Sequence, residues 1–266
     1  MMRSTSQRNK PLSLPRRLLF SGLALVFWIA VWWVVARYVN KELLVPTPEL
    51  VAKTLWRLGG TLAFWKAAVA SLWRIARGFV GGVAIGSLLA LLTARFKVAE
   101  LLFAPLLKTV RATPVASFII LAFVWLVTDT LPSFITFLMV VPIVWGNVDK
   151  GLRQVDHRLL EMADVFRMRK WHTVLHVWLP SVMPYFLTAC TTSLGLAWKS
   201  GIAAEVICRP DDSLGDLLQN AKLNLETAEV FAYTIVVILL SVLLEQALLF
   251  AVKRFGKRYN ATEEVT

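Results

Sequence analysis

The chain has 266 residues, of which 57% are hydrophobic and only 17% are charged, and its formal net charge is +12. Soluble globular proteins have about 25% charged residues, so this composition excludes an ordinary water-soluble domain and favours a membrane protein. The excess of basic residues is explained by the preference of Lys and Arg for the cytoplasmic face of a membrane, where anionic lipids lie. We therefore expect no nucleic acid partner.

Six long apolar stretches predict membrane-spanning helices. The first five contain no charged residue and cover residues 18–36, 78–94, 112–128, 130–148 and 177–198. The sixth, residues 230–252, is interrupted by Glu245. A helix needs about 20 mostly apolar residues to cross the hydrocarbon core, and none of these stretches alternates as a barrel strand does. The sequence therefore predicts an all-α integral membrane protein with six transmembrane helices.

Basic residues in the loops predict the orientation of these spans, because Lys and Arg are enriched in cytoplasmic loops. Most of them lie within residues 1–17, 95–111, 149–176 and 253–266. We therefore predict that both termini are cytoplasmic, with basic tails at the two ends and a transmembrane domain over residues 18–252, in a bacterial-type cell membrane. The first apolar stretch is longer than that of a signal peptide, so we expect it to remain as a span.

A short helix is predicted after the first span. Thr47 is suited to cap a helix that begins at Pro48, because a hydroxyl there accepts a backbone N–H and proline is favoured at the first helical position. Apolar residues then recur with helical spacing up to Gly59 and Gly60. We expect an amphipathic helix at the outer interface of the membrane.

The second span contains a run of small residues and is preceded by two arginines. Gly78, Gly82 and Gly86 are four residues apart, which allows close approach of another helix; a moving gate surface is the alternative interpretation. Arg74 and Arg77 lie on roughly one helix face. Either both side chains anchor the helix to outer headgroups, or at least one faces a solute pathway and attracts an anionic solute.

The sequence lacks the residue patterns of ATP binding, ion coupling, metal binding and catalysis. No P-loop pattern occurs, so we do not expect the chain itself to bind or hydrolyse ATP. Inside predicted spans three to six the first acid or base is Glu245, whereas ion-coupled carriers usually keep intramembrane carboxylates. His172 and His176 lack a third metal ligand, and no base accompanies the hydroxyls of residues 191–193. We therefore expect no catalytic site, no cofactor and no metal, which leaves a channel or a permease driven by a separate ATPase.

The polar segment, residues 149–176, interrupts the apolar pattern between predicted spans four and five. It contains "EMADVFR" from Glu161 to Arg167, then "KWHTVLHVW" and Leu179-Pro180. This pattern resembles the EAA motif of ABC importer permeases, in which Glu-Ala-Ala, three further residues and a glycine are followed some distance on by an apolar residue and Leu-Pro.

The resemblance implies a cytoplasmic coupling helix that docks into a groove on a separate ATP-binding subunit. The residues implied in this coupling are Glu161, Ala163, Asp164, Val165, Phe166, Arg167 and Met168. We expect Val165, Phe166 and Met168 to be buried against the partner, and the two acids of the motif to orient it.

Two positions depart from the family motif. Met162 stands where the motif has alanine, and Arg167 occupies the glycine position. Glycine there suits a tight turn at positive φ, where arginine costs about 1 kcal/mol. Either the turn lies at neighbouring residues, or the two helical pieces meet at a different angle.

Three further stretches, "LLVPTPELV", "SLWRIARGF" and "AWKSGIAAEVI", are similar to the nitrate/sulfonate/taurine branch of these permeases. The resemblance implies a second permease copy, two ATP-binding subunits and an extracytoplasmic solute-binding protein. The expected solute is a sulfonate, nitrate or similar small anion, or a pyrimidine-type vitamin precursor. A gated membrane channel or scaffold without an ATPase partner is the alternative.

Overall fold

The computed structural model describes residues 14–260, and this part of the chain folds into eleven α-helices and contains no strand. Residues 1–13 and 261–266 of the two predicted tails lie outside it. The helices are α1 (Leu14–Val39), α2 (Pro48–Gly59), α3 (Leu62–Arg95), α4 (Lys97–Ala112), α5 (Val115–Phe123), α6 (Leu131–Arg153), α7 (His157–Val165), α8 (Lys170–Thr173), α9 (Leu179–Cys208), α10 (Leu214–Leu223) and α11 (Thr227–Asn260). A π-helical turn, Val174–Trp178, joins α8 to α9.

Within residues 14–260, five helical regions are long and apolar enough to cross a membrane. They are Gly22–Val39, Leu62–Arg95, Leu131–Arg153, Lys170–Cys208 and Thr227–Val252. An all-helical chain with several membrane-spanning candidates is therefore confirmed. The described parts of the predicted tails, residues 14–17 and 253–260, continue α1 and α11 as helix.

The third predicted span differs from the structure. Instead of one helix over residues 112–128, α4 and α5 form a pair bent by 103° around Thr113 and Pro114. Proline lacks a backbone N–H and disfavours helical conformation in the residue before it, and Thr113 is extended, with φ −80° and ψ 136°. The predicted boundaries are therefore wrong, and residues 95–111 are mostly helix rather than loop. A sixth span exists if the bent pair crosses the membrane as one unit.

Helices α3, α6 and α9 form the centre of the bundle, and glycines let α3 and α6 lie close together. A Cβ atom on Gly78 would lie 2.2 Å from the carbonyl oxygen of Ser133, and one on Gly82 would lie 2.7 Å from Cβ of Val140. Both distances are far below van der Waals contact, so a side chain would force the helices apart. Gly86 meets α6 in the same way one turn further on. These contacts support the packing interpretation of the glycine run.

Helix α2 covers the residues that the sequence predicts, Pro48–Gly59. The Thr47 hydroxyl oxygen accepts the N–H of Leu50 at 3.4 Å, and the helix ends at Gly59. Its buried face packs near α11, where Arg57 and Glu229 form an ion pair of 2.6 Å. This side of the bundle also contains Arg74, so we call it the Arg74 end, and we call the side with α7 and α8 the segment end.

Candidate functional site

The polar segment begins with a capped helix. A side-chain oxygen of Asp156 accepts the N–H of Arg158 at 2.9 Å, which satisfies one of the free donors at the start of α7. Ala163 is 1% exposed, so the second alanine of the resembled motif is a packing position. The helix ends after Val165.

The turn after α7 has the hydrogen bonds of a Schellman motif. The N–H of Met168 donates to the carbonyl of Ala163 at 2.9 Å, and the N–H of Arg167 donates to that of Asp164 at 3.0 Å. Arg167 has a φ of 49°, in the left-handed region where glycine is favoured. The tight turn therefore lies at the motif's glycine position itself and is not shifted to a neighbour. Arginine holds this conformation at a cost of about 1 kcal/mol.

The second half of the segment continues directly into α9. Residues Lys170–Cys208 form one helical run that includes the π-helical turn. This turn ends immediately before Leu179-Pro180, and proline cannot donate the helical hydrogen bond that residue 180 would otherwise make. The polar segment is thus joined to the opposite end of the bundle by a single helical run.

The segment exposes an apolar surface, which we call the docking patch and define as Met162, Val165, Phe166 and Trp171. Val165 is 80% exposed, Phe166 74% and Trp171 71%. Large apolar groups clustered outside a core mark contact sites for other molecules. Met168 is half-buried within the chain itself, and Trp171 belongs to this surface although the motif does not include it.

Two carboxylates flank the docking patch. Glu161 and Asp164 are both exposed, and neither side chain forms an ion pair or hydrogen bond with any residue in the described part of the chain. Unpaired charges at the edge of an apolar patch suit orientation of a basic partner surface.

The segment end has both a cavity and direct contacts with the bundle. An apolar cavity of about 300 Å³ separates the π-helical turn from the ends of α3 and α6, and its lining includes Val174 and Trp178. A Cβ on Gly151 would lie 2.9 Å from Tyr185 of α9. At the same end Arg153 pairs with Glu100 of α4 at 3.0 Å and with Asp149 at 2.8 Å.

The histidine pair of the segment forms a local contact. The rings of His172 and His176 stack with centroids 6.0 Å apart, and Nδ1 of His176 lies 3.0 Å from the carbonyl oxygen of His172. No group of three or more His, Cys, Asp or Glu side chains positioned for a metal occurs in residues 14–260.

At the Arg74 end, the two arginines have different surroundings. Arg74 is 7% exposed; it donates to a carboxylate oxygen of Asp129 at 2.8 Å and to the carbonyls of Asp211 at 2.8 Å and Asp212 at 3.1 Å. Its guanidinium therefore points inward and joins three segments, which does not fit an anchor in lipid headgroups. Arg77 is exposed, with a 3.4 Å hydrogen bond to the hydroxyl of Ser133. Of the two arginines, only Arg77 has an exposed side chain.

A buried glutamate completes this network, and sequence reasoning missed it. Glu205 is fully buried; it accepts the hydroxyl of Ser71 at 2.7 Å and the N–H of Gly215 at 3.3 Å, and lies 3.8 Å from Arg74. The Ser71 oxygen in turn accepts the N–H of Leu214 at 2.9 Å. The only sequence signal was a single acid in the apolar run "SGIAAEVI", where an unpaired carboxylate would be unfavourable.

Comparison with known proteins identifies the family of the chain. Residues 82–260 match the family described as binding-protein-dependent transport system inner membrane component. The chain is 29% identical over 212 residues to a protein of Bacillus subtilis (strain 168) named as the aliphatic sulfonates transport permease protein SsuC, covering 78% of this chain and 76% of that one. It is 25% identical over 242 residues to the taurine transport system permease protein TauC of Escherichia coli (strain K12), covering 88% of each.

A third relative and a solved structure extend the comparison. The chain is 29% identical over 145 residues to the bicarbonate transport system permease protein CmpB of Synechococcus elongatus, covering 54% of this chain and 52% of that one. Its fold is similar to the crystal structure of an amino acid ABC transporter with histidines, with a TM-score of 0.58 at 17% identity, covering 74% of this chain and 94% of that chain.

Proposed function

Because the chain belongs to the family of binding-protein-dependent transport system inner membrane components, we propose that it is the membrane-spanning subunit of an ATP-driven importer. In this role the chain does not catalyse a reaction. A separate ATP-binding subunit hydrolyses ATP, an extracytoplasmic binding protein delivers the solute, and the permease moves it into the cytoplasm by alternating access. A second copy of this chain forms the other half of the pathway.

The docking patch is the observation that supports this proposal. Phe166 and Val165 protrude beside the unpaired Glu161 and Asp164, on a segment tied to α9. An exposed amphipathic helix of this kind suits insertion into a groove on a partner. We propose that the groove belongs to the ATP-binding subunit and that the polar segment is cytoplasmic.

We also propose a route by which force passes from the segment into the bundle, and the contacts of the segment support it. When the ATP-binding subunits close on ATP, they displace α7 and α8 together. The unbroken helical run Lys170–Cys208 and the close contact between Gly151 and Tyr185 pass this motion to α9 and α6. At the other end, Arg74 and Glu205 hold the α9–α10 turn against α3, so the core helices move as a unit.

The proposed solute is a small anion such as a sulfonate or nitrate. Relatives named for sulfonates, taurine and bicarbonate support this class. A vitamin precursor of the pyrimidine type is the other solute class that the sequence resemblance implies. A thermal-shift screen distinguishes these two solute classes. It measures which solutes stabilise the binding protein that works with this chain.

The proposal is tested in proteoliposomes that contain the permease, its ATP-binding subunits and the binding protein. We expect ATP-dependent uptake from the native complex. The double variant Glu161→Ala, Asp164→Ala is expected to lose ATPase association and uptake while inserting normally. The matched control is Glu42→Ala, Glu49→Ala, which removes two exposed, unpaired acids at the Arg74 end. If the first double variant still co-elutes with the ATPase and supports solute-stimulated hydrolysis at full rate, the assignment is wrong.

A further inference from the structure

The cavity of about 300 Å³ at the segment end has an almost entirely apolar lining. Its side chains come from α3, α6, the π-helical turn and the start of α9, and all of them are hydrophobic except that of Ser87. The hydroxyl of Ser87 is buried and has no hydrogen-bond partner within residues 14–260. An apolar cavity of about half this volume stays dry and holds a small hydrocarbon such as benzene. This cavity is therefore suited to an apolar ligand rather than to water.

The cavity opens on the outside of the bundle. Two of its lining residues are largely exposed, Leu91 at 53% and Val174 at 47%. Leu88, about one turn before Leu91 on α3, is 52% exposed, so the apolar surface continues from the mouth along the helix. Such a surface suits the bilayer, because lipid tails are as apolar as leucine. The acyl chain of a neighbouring lipid therefore has a lateral entrance to the cavity.

The cavity lies at the end of a membrane-spanning helix. Its lining residues Val148 and Leu152 belong to the last turns of α6, which ends at Arg153 after 23 residues. A helix of this length measures about 35 Å at 1.5 Å per residue, and the hydrocarbon core is about 30 Å thick. These lining residues therefore lie near the boundary between hydrocarbon and lipid head groups, with the polar segment on the aqueous side.

Two basic side chains border the mouth on its aqueous side. Arg95 follows Leu91 by one turn of α3, and Lys170 precedes Val174 by one turn, since the N–H of Val174 donates to the carbonyl of Lys170. Both basic side chains are exposed, and neither forms an ion pair within the described part of the chain. The acids of α4 and α6 at this end already pair with Arg153. The mouth is left with a positive charge, which complements an anionic head group.

We propose that the cavity binds an acyl chain of an anionic phospholipid whose phosphate pairs with Arg95 and Lys170. The hydrophobic lining holds the chain, and the two cations select the head group. This binding step depends on the cavity and its charges alone.

The bound chain also bears on coupling, because the cavity separates the π-helical turn from the ends of α3 and α6. A void forfeits the contacts that would cross it, whereas a close-packed interior transmits strain. The lipid chain therefore adds a path from the polar segment to α3, beside the contact between Gly151 and Tyr185. Uptake is then faster when the lipid is bound. This coupling step rests on the proposed importer function.

Lipid retention by the purified complex of permease and ATP-binding subunits tests the binding step, with native mass spectrometry as the readout. One tightly held phosphatidylglycerol per permease chain is expected for the parent, and its loss is expected for Ser87→Leu, whose larger side chain fills the cavity without disrupting the fold. Ala247→Leu is the matched control, because Ala247 is exposed on α11 and does not line the cavity. Equal retention by Ser87→Leu and the parent would overturn the proposal. Absence of the lipid from the parent complex would also overturn it, because another subunit would then fill the cavity.

Competition between lipids tests the charge. The double variant Arg95→Gln, Lys170→Gln is expected to lower the preference for phosphatidylglycerol over phosphatidylcholine about thirtyfold, because each basic group near an anionic lipid contributes about a factor of five. Lys108→Gln, Arg111→Gln removes two exposed basic groups of α4 and is the control. Glycerol 3-phosphate, which has the charge of the head group but no acyl chain, is expected not to displace the lipid. An unchanged preference in the first double variant, or displacement by glycerol 3-phosphate, would contradict the proposed site.

Uptake in vesicles tests the coupling step. The parent complex is expected to transport several-fold faster in equal parts of phosphatidylcholine and phosphatidylglycerol than in phosphatidylcholine alone. Ser87→Leu is expected to transport equally in both, because its own side chain replaces the lipid chain, and Ala247→Leu should behave as the parent does. An equal lipid dependence of Ser87→Leu and the parent would overturn the coupling step. Lack of ATP-dependent uptake by the unsubstituted complex in either vesicle, with lipid retention as expected, would instead refute the importer function.

Discussion

The two ends of the bundle treat their charged groups in opposite ways. At the Arg74 end, Arg74 and Glu205 are both buried. Arg74 donates to Asp129 and to the carbonyl of Asp211, and Glu205 accepts the hydroxyl of Ser71, so these bonds join segments that are far apart in the chain. At the segment end, Glu161 and Asp164 are exposed and unpaired beside Phe166, which is 74% exposed. The first arrangement lies within one chain, where Oε1 of Glu205 has no hydrogen bond and has the Arg74 guanidinium 3.8 Å away. The second leaves apolar surface and charge for another protein to cover.

This difference predicts which substitutions change the stability of the fold and which change assembly and transport. Removing one member of a buried, bonded set leaves the others without partners, so substitutions at the Arg74 end should lower the free energy of unfolding. Substitutions on an exposed surface away from such features usually change stability by less than about 0.5 kcal/mol. Variants at the segment end should therefore alter assembly and transport and leave the fold unchanged.

The largest effect on stability is expected for Arg74→Met. It removes the donors to Asp129, Asp211 and Asp212 and leaves the buried carboxylate of Glu205 without a nearby cation, at a cost of about 3 kcal/mol. Thermal unfolding of the purified protein in detergent measures this loss. Arg77→Met is the control, because Arg77 is exposed and has one long hydrogen bond. Equal unfolding midpoints for the two variants would show that the buried network does not hold this end together.

A smaller loss is expected for Gly215→Ala at the same end. The added Cβ would lie 2.3 Å from Cβ of Glu205 and 2.5 Å from the backbone nitrogen of Val206, so the α9–α10 turn must shift by a backbone movement. Overpacking of this kind costs about 1–3 kcal/mol. Gly59→Ala, which has open space around it, is the control for the same thermal measurement. A stable Gly215→Ala variant would mean that the turn tolerates displacement.

Local sequence signals predicted local structure well. Thr47 before Pro48 identified the start of α2, because both act within one helical turn. The spacing of Gly78 and Gly82 identified the close packing of α3, because a helix face follows from the sequence period alone. The turn at Arg167 was not predicted in this form, because the arginine at the motif's glycine position left a shifted turn or a different angle between the helical pieces as the two expectations, and the structure keeps the positive φ at Arg167 itself.

Long-range contacts were not visible in the sequence. Arg74 meets Asp129 and the Asp211–Asp212 backbone across intervals of 55 residues or more, and no sequence period encodes such a pairing. The two interpretations of Arg74 gave its side chain to lipid headgroups or to a solute pathway, and neither included hydrogen bonds within the bundle. The break between α4 and α5 was missed for a different reason, since Pro114 signalled it but the apolar run around it was taken as one helix.

At the segment end, Arg167→Gly is expected to be tolerated and to raise the stability slightly. Glycine relieves the strain of positive φ, worth up to about 1 kcal/mol, while its greater freedom in the unfolded chain offsets part of the gain. Thermal unfolding and ATP-dependent uptake measure the two consequences. Normal expression with loss of uptake would show that the guanidinium itself contacts the ATP-binding subunit.

The contrast between the two ends depends on which molecule covers the docking patch. Site-specific crosslinking identifies that molecule. A photoreactive benzophenone side chain is placed at Phe166, or at Trp56 of α2, which is 88% exposed at the Arg74 end. In membranes that contain the assembled complex, we expect the probe at 166 to crosslink to the ATP-binding subunit and the probe at 56 not to do so. A probe at 166 that reaches only lipid or the solute-binding protein, or no crosslink to the ATP-binding subunit from an assembled and active complex, would contradict the assignment of the polar segment as the coupling element.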